Sequence, residues 1–273
     1  MRGSEIIKMN NNLYHSFANE GKNVGDITGP YLYKKISGND FHYVHPRNTK
    51  EGVFVTVGSI LDNAIGGATN SIIWGSGMIS DALGACRCEK IYAVRGHKTR
   101  ERVLSLRGEC SVVLGDPAIL VPKFYNPVVE KKHTLGIILH FIHSRELVKE
   151  MTKRLEKSNI SYKFIDVAWG VERFVDSLLG CEYTISSSLH GLIFSHAYGI
   201  RSMPFFFENL FLDGKFFKFE DYYSVYPECN FEVIMYRDLL KCGNIIEKVE
   251  RYKNPTFPLN TKALHDVCPF RKE

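Results

Sequence analysis

Several short polar stretches carry side chains able to hold an anion or move a proton, and each interrupts a largely apolar run. The densest is Ser186-Ser187-Ser188-Leu189-His190-Gly191, between an extended pattern over Tyr183–Ser186 and a helical one over Leu189–Tyr198. A helix start presents amide N–H groups and the positive end of a dipole to a phosphate or carboxylate. Ser187 and Ser188 add hydroxyls, and Gly191 admits close backbone approach. His190 adds a group that can donate or accept a proton near neutral pH. A histidine that merely caps or packs fits the same pattern. His196, six positions on, falls on another helical face and reads as structural.

Other junctions add candidates. In Asn23-Val24-Gly25-Asp26 the glycine lacks a Cβ and the carboxylate precedes a helix, where it is either an N-cap or a catalytic group. Gly75 and Ser76, in the turn Gly75-Ser76-Gly77 after a strand, are placed to offer amides to an anion. Arg95 ends a strand and is expected to reach a crevice, with anion binding and surface charge both open. Asp116 before Pro117 marks a turn. His140 and His143, three apart, point to opposite faces of a strand and form no metal pair unless the strand ends at His140. His140 is then a second acid/base candidate.

The elements that must position these groups alternate along the chain. Strand patterns cover Val53–Val57, Ser71–Trp74, Lys90–Val94 and Ser111–Leu114, and then Thr134–His140, Tyr162–Val167, Tyr183–Ser186 and Ser202–Phe207. Helical patterns at Arg145–Lys157, Val171–Leu179 and Leu189–Tyr198 separate the later strands. Such alternation predicts parallel α/β structure. The stretch Val-Pro-Lys-Phe-Tyr-Asn-Pro-Val-Val-Glu-Lys-Lys-His from 121 reads as a linker. The expectation is two Rossmann-like α/β lobes facing a cleft, 1–125 and 126–273, with one large doubly wound sheet as the alternative. In either, ligands bind at the carboxyl ends of the strands, where the polar junctions lie.

Composition narrows the classes. The longest apolar runs are too short to span a membrane, and the first residues lack the apolar core of a signal peptide. Seven cysteines, an odd number, suggest reduced thiols and a cytoplasmic protein. Cys86-Arg-Cys88 has the wrong spacing for a zinc knuckle, so no metal is expected. A net charge of +5, spread along the chain, is weak for nucleic-acid binding and suits anionic small substrates or an anionic membrane surface.

Taken in order, the junctions resemble the polysaccharide pyruvyl transferase family: NVGDITGPYL (23–32), GSIL (58–61), WGSG (74–77), RGHKTRE (95–101), GDPAILVP (115–122) and SSSLHGLIFSHAYGI (186–200). The resemblance implies transfer of pyruvate from phosphoenolpyruvate to two hydroxyls of a sugar, giving a cyclic ketal, on a fold similar to two-lobed GT-B glycosyltransferases. It implies roles for Asn23, Gly25 and Asp26, for Arg95, and for Leu189, His190 and Gly191. It departs from the family at His97, where proline is usual, and at Ser188, where many members carry arginine. No cofactor is implied beyond phosphoenolpyruvate as donor substrate. The acceptor it implies is a sugar or lipid-linked oligosaccharide of a surface polysaccharide, and the expectation extends to peripheral contact at the inner membrane face.

Ketal formation needs anion holders, a general acid and a general base. Arg95, Gly75, Ser76 and the helix start at Ser187–Gly191 are expected to bind the substrate. His190 is expected to move a proton, Asp26 to orient or deprotonate an acceptor hydroxyl, and His140 to stand in reserve. A nucleotide-sugar glycosyltransferase of the same shape, with Glu208 as ribose anchor, and a non-catalytic sugar- or anion-binding relative are the alternatives. The aromatics of 205–226 read as sugar-stacking or core residues.

Overall fold

A computed structural model describes residues 11–15, 23–110, 113–140, 145–207, 216–241 and 244–272. His143 and Glu208 lie outside the described residues, as do 111 and 112 of the expected strand Ser111–Leu114. Leu114 itself forms an isolated parallel bridge with Val94.

Two parallel sheets form. The first holds β1 (Asn12–Tyr14), β2 (His42–Tyr43), β3 (Val53–Val55), β4 (Ser71–Trp74) and β5 (Lys90–Ala93), in the order β2-β1-β3-β4-β5. The second holds β6 (His133–Leu139), β7 (Tyr162–Asp166), β8 (Cys181–Ser186) and β9 (Arg201–Pro204), in the order β7-β6-β8-β9. Every strand pair is parallel. The helices are α1 (Val24–Ser37), α2 (Asn63–Gly66), α3 (His97–Arg107), α4 (Arg145–Leu155), α5 (Val171–Leu179), α6 (Leu189–Ala197), α7 (Phe217–Tyr223), α8 (Tyr236–Lys241), α9 (Ile245–Arg251) and α10 (Lys262–Asp266).

Strand order fixes where ligands go. The strand order of each sheet reverses once, between β1 and β3 in the first and between β6 and β8 in the second, and the crevice opens at such a point. Asn23–Asp26 begins the helix that follows β1. His140 follows β6, and Ser187–His190 follows β8. The polar junctions therefore sit at both switch points.

Side-chain alternation divides the first sheet between two apolar clusters. Val55 and Ile73 face one, with Val94 and Val103. Phe54, Ile72 and Trp74 face the other, which runs on through the second sheet to Ile137, Ile185 and Phe194. The stretch read as a linker begins inside a 3-10 helix, Pro117–Lys123, which is buried from Pro117 to Val121 and packs on α1 and α6. Val24 N–H donates to the Val167 carbonyl at 2.6 Å, which ties the start of α1 to the second sheet's loops.

The chain ends by returning to the first sheet. Trp74 Nε1 donates to the Leu264 carbonyl of α10 at 3.0 Å, and the Phe270 ring centres 4.8 Å from Tyr33 and 5.2 Å from Trp74. Among the described residues, no helix is long and apolar enough to cross a membrane.

Candidate functional site

The start of α1 is shaped by three residues. Asn23 caps it, its side chain accepting from Gly25 N–H at 3.0 Å. A Cβ on Gly25 would lie 2.1 Å from His190 Nδ1, so glycine is what lets the imidazole rest on the helix start. Pro30 inside α1 has no N–H to give the Asp26 carbonyl four residues earlier. Asp26 is buried, and burial pushes its carboxyl up to about 6 against the attraction of His190 and Lys218.

The start of α6 is held from behind. Ser186 Oγ accepts from Ser188 N–H and donates to the Ser188 carbonyl, Ser187 N–H donates to Ile138, and Ser187 Oγ accepts from His140 N–H. His140 is thus tied to the serine turn through its backbone. A Cβ on Gly191 would stand 2.2 Å from Ser186 Oγ and 2.7 Å from Ile138 Cγ2, so its close approach is to the sheet. Ser188 is the N-cap residue but its side chain caps nothing, and the first amides of α6, from Leu189 on, have no intrahelical acceptor.

His190 is the meeting point. Its ring lies against Gly25, and its Nε2 stands 3.6 Å from Asp116 Oδ2. Asp116 is fully buried and does two things. Oδ1 caps the 3-10 helix by accepting from Ala118 N–H, as its turn-like context predicts, while Oδ2 is left facing the histidine. Asp26 Oδ2, Asp116 Oδ2 and His190 Nε2 are all buried without a hydrogen-bond partner.

Behind this cluster lies another. Arg95 is fully buried, its Nε donating to Asp221 Oδ2 at 2.9 Å, Nη1 to Ser59 Oγ at 2.5 Å and Nη2 to the Met78 carbonyl at 2.6 Å. Asp221 also accepts from Thr99 N–H and Thr99 Oγ1. In this arrangement Arg95 joins the first sheet to α7 and has no face on the crevice. The turn at Gly75 and Ser76 is engaged in the same way. Gly75 N–H donates to Ala93, while Gly77 N–H and Ser76 Oγ both donate to Gly58, so these donors brace strand ends rather than cradle an anion. Gly75 has φ +79°, and a Cβ there would strike Pro117.

Asn23, Gly25, Asp26, Ser188, Leu189 and His190 are therefore brought together. Arg95, Gly75 and Ser76 lie in the bracing layer, and Ser187, Gly191 and His140 support the α6 turn. Sequence reading missed Asp116 as a partner of His190, and it missed Lys218 and Asp221 of α7 altogether. The Lys218 signal was a lysine inside an aromatic run. Burial and the Arg95 charge lower its ammonium to about 8, opposed by Asp26. His196 packs flat on Tyr222 with Nδ1 3.0 Å from its hydroxyl, and burial lowers it to about 4, so it is neutral. A cavity of about 1030 Å³ opens elsewhere, between α4, α8 and α9, and its lining includes none of these groups.

The cluster sets two buried carboxyls around one imidazole, Asp116 with Oδ2 3.6 Å from His190 Nε2 and Asp26 near enough to feel its charge, beside the start of α6. The model of one family, polysaccharide pyruvyl transferase, matches residues 69–205, which includes Arg95, Asp116 and His190 and leaves Asp26 outside. A similar curated protein, Uncharacterized protein L143 of Acanthamoeba polyphaga mimivirus, is 31% identical over 179 residues, 63% of this chain and 60% of that protein. The chain thus spans about 60% of the length of the curated relative it matches. With the family model covering half of the sequence and four of the six ordered motifs, the chain belongs to the polysaccharide pyruvyl transferase family.

Proposed function

We propose that this protein transfers pyruvate from phosphoenolpyruvate to two hydroxyls of a sugar in a surface polysaccharide or its lipid-linked precursor, forming a cyclic ketal. The observation that carries the reading is the convergence of Asp26, from one lobe, on His190, from the other. In the proposed frame the lobes are 1–125 and 126–273, arranged as in GT-B enzymes. The acceptor lies on the Asp26 side and the donor at the start of α6. The protein works in the cytoplasm, in peripheral contact with the inner membrane face where the acceptor is lipid-linked.

The reaction sets the roles. The first hydroxyl adds to C2 of the donor while C3 takes a proton, and the C2–O bond to phosphate then breaks. The second hydroxyl closes the ring at C2. The two hydroxyl protons end on the new methyl group and on the released phosphate, so atoms and charge balance. His190, with Asp116 behind Nε2, moves a proton, and Asp26 takes one from an acceptor hydroxyl. Its carboxyl near 6 suits a group that must change state near neutrality. Ser187, Ser188 and the α6 amides hold the donor carboxylate, and His140 is the reserve acid/base. Arg95 acts by holding α7 against the first sheet.

The test is to incubate purified protein with phosphoenolpyruvate, a UDP-sugar and candidate acceptors. Acceptor-dependent phosphate release with a pyruvate ketal in the product supports the reading. UDP release in its place would make this a glycosyltransferase, and release of neither a binding protein.

A further inference from the structure

One close-spaced pair of reactive side chains takes no part in pyruvyl transfer as proposed. Cys86-Arg87-Cys88 lies in the loop between β4 and β5, and its two sulfurs approach to 3.5 Å. Arg87 is exposed, while the cysteines on either side turn inward, Cys86 6% and Cys88 2% exposed. They pack in the cluster of Val55, Ile73, Val94 and Val103, whereas Leu189 and Leu192 beside His190 belong to the other. The pair stands apart from the proton-moving cluster.

Helix α3 grips this loop twice. Arg102 Nη2 donates to the Leu83 carbonyl at 2.8 Å. Arg107 Nη1 donates to the Cys88 carbonyl and stands 3.6 Å from the Cys88 sulfur. A thiol buried among aliphatic side chains is ordinarily inert, because burial holds its proton. Here a second thiol and a guanidinium meet the sulfur. The hydrogen bond between the thiols, aided by the Arg107 charge, draws the first proton off the pair below the ordinary thiol range. The same bond, with burial, holds the second proton above it. One sulfur is thus ready to attack and its neighbour to resolve. A divalent metal is a poorer occupant, since zinc takes four ligands as a rule. Among the described residues no group of three or more His, Cys, Asp or Glu is placed to hold an ion.

We propose that Cys86 and Cys88 are a redox-active dithiol, which a low-molecular-weight disulfide converts into an intramolecular disulfide. The Cys86 thiolate attacks one sulfur of the external disulfide, forming a mixed disulfide and expelling one thiolate. The Cys88 thiol gives up its proton and attacks the Cys86 sulfur, which forms the protein S–S bond and expels the second thiolate. Two electrons pass from the protein to the external disulfide, and the two protons lost by the cysteines end on the two released thiols. The sulfurs must close from 3.5 Å to about 2.05 Å. The two peptides between the residues already keep their Cα atoms within about 7 Å, the reach of such a bond. Oxidation takes the thiolate away from Arg107, which keeps the Cys88 carbonyl and Glu109 as partners. No residue of the His190 cluster enters, so the proposal stands or falls independently of the donor reading.

The test is to incubate folded wild type with oxidised glutathione at pH 7, quench in acid, unfold, alkylate and map the thiols by mass spectrometry. Alkylatable thiols should fall by two, from seven to five, with the bridge joining Cys86 to Cys88, and reduced glutathione should restore both. The initial rate should exceed at least about threefold that of a synthetic peptide of residues 83–91, which has the spacing without Arg107. Cys110 packs against the same cluster, and Cys110→Ser should form the bridge as wild type does. Retention of both thiols in wild type, or a bridge from either residue to Cys110, overturns the proposal. So does a rate without that gain over the peptide, since burial then leaves the pair inert. If Cys110→Ser does not fold, the wild-type map decides alone.

Discussion

Two buried polar clusters form in this protein, and their bonding differs. Around Arg95 and Asp221 each guanidinium nitrogen has an acceptor and both carboxylate oxygens have donors. Around His190, two carboxylate oxygens and an imidazole nitrogen are buried with none. Buried polar groups are normally satisfied, since each unmade bond costs desolvation without return. The satisfied cluster is therefore architecture, a clamp between the first sheet and α7. The unsatisfied one is where we propose that a substrate completes the bonding.

Breaking the clamp should give the largest effect. Asp221→Ala strands a buried guanidinium, and removing one partner of such a pair destabilises by about 3–5 kcal/mol. Chemical denaturation should show it, with Arg95→Ala close behind. Arg95→Lys should rescue little, because an ammonium lacks the planar fork that reaches Asp221, Ser59 and Met78 together. If Arg95→Ala instead melts like wild type and loses phosphoenolpyruvate binding, Arg95 is the direct anion contact that its strand-end position suggests.

On the other side of the comparison, His190→Ala should lower turnover at least about 10²-fold, the low end for a general acid or base. The folded fraction should change little. A variant that melts early but turns over normally would move His190 into the architectural class. Gly25→Ala is a milder form of the same break. Its new Cβ falls 2.1 Å from His190 Nδ1, so the ring must leave its position while α1 gains helix propensity. A loss of about tenfold or more in turnover with unimpaired melting is expected. Normal turnover would mean that His190 works from another position.

How much of this was legible in sequence follows from the range of the interactions. The β8–α6 junction, α5 and β4 are fixed by local periodicity, and their spans are Cys181–Ser186 with Leu189–Ala197, Val171–Leu179 and Ser71–Trp74. β1 and β2, three and two residues long, carry no pattern of their own; β1 exists because β3 is there to pair with, and β2 because β1 is. Asp26 and His190 could be nominated because each sits beside a glycine at an element boundary. That each feels the other's charge depends on how the two sheets pack, which no short window encodes. Asp116 looked complete as a turn residue because one of its oxygens is. Lys218 was hidden by its aromatic neighbours, and Arg95 gave no sign that Asp221, 126 positions later, would claim it.

The smallest expected effect sharpens the comparison most, because its sign differs between the two kinds of cluster. Asp26 titrates near 6 in the folded protein against an ordinary 3.8, burial outweighing the attraction of His190 and Lys218. The native state therefore holds this proton more tightly than the unfolded chain does. The resulting stability is fully present below about pH 4 and is lost as pH rises through 6, beyond which the fold carries a carboxylate it stabilises poorly. Asp26→Asn is uncharged throughout. It should be more stable than wild type at pH 7.5, by on the order of 1–2 kcal/mol, with the gap closing towards pH 4. Its turnover should fall. A carboxylate held in place by partners predicts the reverse, an asparagine variant less stable at pH 7.5. That outcome would put Asp26 with Asp221 among the structural charges and leave His190 without its proposed partner in proton transfer.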